Sequence, residues 1–168
     1  MITADKVALL QKEKSLTLNE LMISLLPIAK EKAIMPVCGY KVGAVGLGIS
    51  GNLYFGSCQD FGYGPLSQSV HAEQAVISNA FSHGETGIIK IACTDVPCGH
   101  CRQFLYELNT AEQLEIILEK EKPILLTTLL PYPFGPKELG REASLYAILN
   151  FPPSPTNQIE AVDCQVVC

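Results

Sequence analysis

The sequence predicts an α/β domain with a helical lead-in, and three observations carry that prediction. Apolar residues recur at helical spacing from Leu16 to Leu26, two strand-like runs flank Ser50-Gly51-Asn52, and short apolar runs then alternate with helical stretches as far as Leu130. With 168 residues there is room for one domain of ordinary size and a real core, but not for two.

The elements follow in order. Leu16, Leu18, Leu21, Met22, Leu25 and Leu26 share a helical face, and "SLTLNE" supplies polar residues suited to a helix start. That helix is expected to run toward Met35 despite Pro27. "YKVGAVGLGI" and "NLYFGSC" read as two strands joined by a tight turn in which Gly51 permits the backbone angles a hairpin needs. A helix is expected from about Ser69 to Phe81, and "IIKIACT", apolar and β-branched, as a buried strand. A helix from Gly99 to Leu108 then leads to strands near "LEIIL" and "ILLTTLL". Residues 1–150 form the expected domain, and the proline-rich stretch 151–168 an extended tail. No internal repeat is found.

Composition narrows the function. Hydrophobic residues at 48% against 17% charged suit a compact protein with large apolar contacts and point to subunit interfaces. A net charge of -5 has the wrong sign for neutralising a polynucleotide, so a small-molecule partner is expected, with no nucleic acid polymer. "MITADKVALLQKEK" lacks the uninterrupted apolar run of a signal peptide, and "PILLTTLLPYPF" is too short and too broken to span a bilayer. Seven cysteines cannot all pair internally, so reduced thiols in the cytoplasm are expected.

Two motifs compete for attention. Gly46, Gly48 and Gly51 spell G-x-G-x-x-G, but that loop cradles a pyrophosphate only where a strand hands over to a helix, and here a strand follows. It reads as a glycine-rich hairpin. In "TDVPCGHCRQF", Cys98 and Cys101 stand at an expected helix N-terminus, where unsatisfied N–H groups favour thiolate. Alone, this C-x-x-C fits a redox pair, half of a structural zinc site or part of a catalytic one.

The upstream "VHAEQAVI" narrows that choice. His71 and Glu73, two apart, approach one point only if a helix end rather than a helix side faces it. His71, Cys98 and Cys101 then supply three nitrogen and sulfur donors, the number that leaves a catalytic zinc one open position for water. His100 is expected to point away from that metal. Arg102 and Gln103 either donate to the thiolates or face outward.

"HAEQ" followed by "PCGHCRQF" resembles the cytidine deaminase family, whose signature is H-x-E…P-C-x-x-C. "YKVGA" and "GNLYFG" resemble its first two strand segments, and "LLPYPFGPKEL" resembles the L-P-x-x-F-G-P-K-D-L segment of the longer, dimeric members. Roughly residues 34 to 139 are covered. The longer members carry a second, degenerate copy of the domain, and this chain ends where that copy would begin.

The resemblance implies a three-layer α/β/α fold with a mixed central sheet of about five strands. It implies Zn2+ on His71, Cys98 and Cys101, and hydrolytic deamination of free cytidine or deoxycytidine to uridine or deoxyuridine with Glu73 shuttling the proton. Backbone groups near Ala72 and Val96 would hold the pyrimidine edge, and Tyr40 and Phe134 would lie against the ring. Phe134 corresponds to an aromatic that dimeric relatives borrow from the neighbouring subunit, so a homodimer or homotetramer with active sites near its interfaces is implied. One departure stands out: where the family carries Asn-x-Glu to bind the ribose hydroxyl, this chain has Cys58 and Asp60. Altered sugar recognition is therefore expected. Two alternatives stay open: the same chemistry on a modified nucleoside or nucleoside-like heterocycle, and a non-catalytic, zinc-clamped assembly subunit.

Overall fold

The computed structural model describes residues 1–62 and 68–140. The expected tail 151–168, and residues 141–150 of the expected domain, lie outside the described residues. The elements are α1 (Ala4–Lys14), α2 (Leu18–Glu31), β1 (Gly43–Gly48), β2 (Leu53–Ser57), α3 (Ala72–Ser82), β3 (Ile88–Cys93), α4 (Gly99–Tyr106), β4 (Glu115–Ile117), β5 (Ile124–Leu125) and α5 (Leu126–Leu129).

The sheet has five strands in the order β2-β1-β3-β4-β5 and is mixed: β1 runs antiparallel to both neighbours, β3 pairs parallel with β4, and β4 antiparallel with β5. Successive strand residues face opposite sides, so Ala44, Ile91, Cys93 and Ile116 join one core, and Val45, Leu47, Ala92 and Ile117 the other. The first core takes Val76 and Ile77 of α3 and Leu105 of α4; the second takes Leu21, Met22, Leu25 and Leu26 of α2. Helices therefore cover both faces of the sheet, which explains why every residue of β1 is buried. This is the three-layer arrangement that the resemblance implied.

The hairpin turn is as expected. Gly51 sits at φ 83°, Gly48 N–H donates to the Asn52 carbonyl at 2.9 Å, and a strand rather than a helix follows the G-x-G-x-x-G glycines. Its tip is fastened from outside by Glu85, just beyond α3. This carboxylate is 3% exposed and accepts from the Ser50 hydroxyl, from Tyr54 Oη at 3.0 Å, and from the N–H groups of Thr86 at 2.9 Å and Ser50 at 3.4 Å. Burial works against its ionisation, but the combined hydrogen bonds outweigh burial and hold its pKa below the ordinary carboxylate value.

Among the differences from expectation, α4 ends at Tyr106 rather than Leu108, and four others each have a local reason. The lead-in is two helices; α1 buries only Val7, too little apolar periodicity to be visible among its charges. Helix α2 begins where expected, with Thr17 and Glu20 capping each other through Glu20 N–H to Thr17 Oγ1 at 3.3 Å and Thr17 N–H to a Glu20 carboxylate oxygen at 2.8 Å. It stops at Glu31, short of Met35, because Ile34 leaves to bond the chain after β2: its N–H donates to the Cys58 carbonyl at 3.1 Å, and its carbonyl accepts from Asp60 N–H at 3.0 Å. Helix α3 starts at Ala72 rather than Ser69, since Val70 is held extended by exchanging two 2.8 Å bonds with Gln59. The strand expected across "ILLTTLL" pairs only at Ile124–Leu125. Leu126 N–H closes onto the Leu114 carbonyl at 2.9 Å, the three-residue β4 offers nothing beyond, and the chain turns into α5.

Candidate metal centre and its cleft

Helix α3 can lie close to the sheet because Gly56 has no side chain. A Cβ there would stand 2.1 Å from the Ala72 carbonyl oxygen and 2.5 Å from Val76 N, both backbone atoms of α3. This contact carries the N-terminus of α3 to the ends of β1 and β3. The exit from β3 is fixed in turn: Thr94 N–H donates to the Gly43 carbonyl at 3.0 Å, and Thr94 Oγ1 accepts from Gly43 N–H at 3.2 Å. Five residues later α4 begins.

The N-cap of α3 is His71 and the N-cap of α4 is Cys98, so two helix ends converge and present their side chains beyond the first turn. His71 Nδ1 lies 3.4 Å from Cys98 Sγ and 3.3 Å from Cys101 Sγ, and the three donor atoms lie within 4.8 Å of one another. The five described cysteines are free thiols, so Cys98 and Cys101 are not a disulfide. Bonds of about 2.3 Å to sulfur and about 2.05 Å to nitrogen at a tetrahedral ion would set nitrogen–sulfur edges of roughly 3.6 Å, close to these separations.

Electrostatics point the same way. Glu73 is 3% exposed and Cys101 fully buried, and the Glu73 carboxylate interacts with the Cys101 thiol. Burial, then the Glu73 charge, then Cys98 push the Cys101 thiol far above its ordinary pKa. The buried Cys93 thiol is raised by burial and next by the same carboxylate. A cation relieves this crowding of sulfur and carboxylate, so the donor set fits a bound metal.

Beside the cluster opens a cleft of about 390 Å³, within the usual size for a small-molecule site. Tyr40, Cys58, Ala72 and Val96 line it together with His71, Glu73 and Cys98. Tyr40 Oη donates to Asp95 Oδ1 at 2.9 Å across its mouth, which raises the tyrosine pKa first through that bond and then through the aspartate charge.

The zinc-binding region of cytidine and deoxycytidylate deaminases matches residues 16–115, well over half of the chain. The chain belongs to this family. Among curated proteins, the cytidine deaminase of Aliivibrio fischeri is 42% identical over 150 residues, 89% of this chain and 50% of that one. That of Actinobacillus pleuropneumoniae serotype 5b is 43% identical over 144 residues, 86% of this chain and 48% of the relative. The chain thus spans about half the length of these curated relatives. The crystal structure of cytidine deaminase from Mycobacterium tuberculosis superposes with a TM-score of 0.63 at 28% identity, covering 69% of this chain and 96% of that one. The structure from Burkholderia pseudomallei gives 0.61 at 25% identity, with 68% and 98% covered. The α/β/α fold is therefore that of the cytidine deaminases, and zinc is the metal of the matched region.

Within this deaminase fold, not every residue expected at the site faces the cleft. Asp60 is absent from the cleft lining and 4% exposed. Its carboxylate accepts from the N–H groups of Val37, at 3.3 Å to each oxygen, and of Cys38 at 3.2 Å. Its charge is spent on the loop that carries Met35, Cys38 and Tyr40 to the cleft. Cys58 does face the cleft; its sulfur accepts from Val42 N–H at 3.0 Å, and burial foremost raises its pKa. Phe134 is 62% exposed and outside the cleft lining, its carbonyl bound by the Gln103 side chain at 2.5 Å. Arg102 does not reach the sulfurs: Nε donates to the Pro97 carbonyl at 2.7 Å and a terminal nitrogen to the Leu129 carbonyl at 2.9 Å. Asp95 was missed by sequence reasoning, although its position three residues before Cys98, on the strand exit, was a usable signal.

Proposed function

We propose that this domain hydrolytically deaminates free cytidine or deoxycytidine, with zinc held by His71, Cys98 and Cys101. One observation carries the reading: three nitrogen and sulfur donors meet at two helix N-termini with the buried, non-ligating carboxylate of Glu73 beside them. When bound, zinc polarises a water so that it can act as a nucleophile near neutral pH. Glu73 takes one proton from the attacking water and delivers it to the ring nitrogen as the amino-bearing carbon is attacked; it then takes the remaining proton of the added hydroxyl and passes it to the amino group, which leaves as ammonia as the C=O bond forms. The carboxylate ends the cycle ionised, as it began. Backbone groups of Ala72 and Val96 hold the pyrimidine edge, and Tyr40 packs on the ring or its surroundings.

The cleft favours nucleosides over nucleotides. Its described lining contains Glu73 and Asp95 but no lysine or arginine, so a phosphate would meet negative charge with nothing to neutralise it. The identity of 42 and 43% to curated cytidine deaminases favours cytidine over a modified heterocycle, and a purely structural clamp has no use for the Glu73 carboxylate. Sugar recognition differs from relatives in our reading, because Cys58 rather than an amide faces the cleft and Asp60 is turned away.

A homodimer or homotetramer is part of the proposal. Tyr40 and Val96 on the cleft wall, and Ile34, Val37 and Phe61 on the adjoining segments, are all more than half exposed, and a second copy would cover them and bring Phe134 to a neighbour's site. Among the described residues no helix is long and apolar enough to cross a membrane. The free thiols suit a reducing cytoplasm. The deciding experiment is Glu73→Gln: the variant is expected to bind zinc but release no ammonia from cytidine. Turnover persisting at the wild-type rate would remove Glu73 from the reaction.

A further inference from the structure

We propose that Gln74 and His100 are positioning residues: the side-chain amide of Gln74 ties the ends of α3 and α4 together and so holds His71 against Cys98 and Cys101. The inference rests on the metal site proposed above and concerns how its two halves, 27 residues apart at His71 and Cys98, are kept in register.

The geometry is a continuous chain of polar contacts. His71 N–H donates to Gln74 Oε1 at 2.9 Å, and Gln74 Nε2 lies 2.8 Å from His100 Nε2. A backbone N–H can only donate, so it fixes the carbonyl end of the amide toward His71, and the NH2 end then faces His100, which accepts. His100 stands in the first turn of α4 between Cys98 and Cys101, and its ring meets that of His71 edge-on, with centroids 5.7 Å apart and planes at 68°. His71 is thus braced twice by His100, once ring to ring and once through Gln74. Neither Gln74 nor His100 lines the cleft, so both act through His71 rather than on substrate.

An N-cap side chain lies outside the hydrogen-bonded turns of its helix, and the approach of two helix ends sets the donor separations directly. A small rotation of α4 relative to α3 would carry both sulfurs away from Nδ1. Groups that orient a metal ligand commonly change metal affinity by about 10- to 100-fold when removed. The Gln74–His100 pair joins the helices at the point where such a rotation would begin.

The test is zinc affinity by chelator competition on the full chain, with the absorption spectrum of the cobalt-substituted protein as a second readout. Gln74→Leu and His100→Ala are each expected to weaken zinc binding by about tenfold and to broaden the cobalt bands. The double variant is expected to lose less than the sum of the two single losses, because the Gln74–His100 link is removed in each. His100→Gln, which returns an acceptor at similar reach, should restore most of the affinity. Wild-type affinity in both single variants, or strictly additive losses, would overturn the clamp while leaving the metal site intact. A wild-type protein that binds no zinc would overturn the site itself, and the clamp with it. His100 is exposed, so His100→Ala is expected to fold even where Gln74→Leu does not.

Discussion

Replacing Gly56 by alanine is the smallest change that should separate the two helix ends. The new methyl group would sit 2.1 Å from the Ala72 carbonyl oxygen and 2.5 Å from Val76 N, whereas ordinary contact begins at 3.4 Å, so α3 must withdraw by the difference, about 1.3 Å. No side chain can swing aside, since both obstacles are backbone. Overpacking of this kind costs about 1–3 kcal/mol of stability. The larger effect falls on chemistry, because His71, Ala72 and Glu73 all ride on the displaced end of α3 while Cys98 and Cys101 belong to α4. A displacement of about 1 Å at reacting groups costs on the order of a hundredfold in rate. The assay is ultraviolet turnover of cytidine, with zinc content and thermal unfolding measured on the same sample. A folded Gly56→Ala protein with wild-type turnover and full zinc would refute the claim that close helix–sheet contact sets the site.

Further predictions follow from single contacts. Glu85 has a pKa below its ordinary value in the folded state, so its contribution to stability is full above that ordinary value and is lost as pH falls through the lowered one. Glu85→Gln should therefore be less stable than wild type near pH 7, with the gap closing as the pH drops below about 4; parallel thermal-unfolding curves across that range would contradict this. Asp60→Ala should leave the N–H groups of Val37 and Cys38 unpaired, losing charge-assisted bonds worth about 1.5–3 kcal/mol and raising KM for cytidine more than it lowers kcat. Chelation of zinc should lower the unfolding temperature as well as abolish activity, because the metal binds only the folded arrangement of donors; an unchanged melting curve would argue against a site built from α3 and α4. Cytidine 5′-monophosphate should turn over far more slowly than cytidine, and comparable kcat/KM values would disprove the reading of the cleft as lacking a phosphate partner.

What the sequence made legible was whatever repeats or pairs locally. The leucines of α2 mark one face, Gly51 marks the turn, and His71, Cys98 and Cys101 carry donor chemistry in their spacing. Helix α1 was invisible because it buries Val7 alone. The turn of the chain at Leu126 depends on the shortness of β4, a partner ten residues upstream in the chain, and no local propensity reports that. Asp60 misled for a related reason: its alignment with a sugar-binding carboxylate is a one-dimensional fact, while its actual partners, the Val37 and Cys38 N–H groups, come from a loop more than twenty residues away. Nothing in the sequence marks Glu85 or Gln74, since only the folded chain shows what their side chains reach.

X-ray absorption at the zinc edge of the purified protein tests the central claim most directly. The account predicts one zinc per chain with two sulfur scatterers at about 2.3 Å and lighter nitrogen or oxygen neighbours at about 2.0–2.1 Å. A shell of four sulfurs, or a protein that carries no zinc while fully folded, would contradict it.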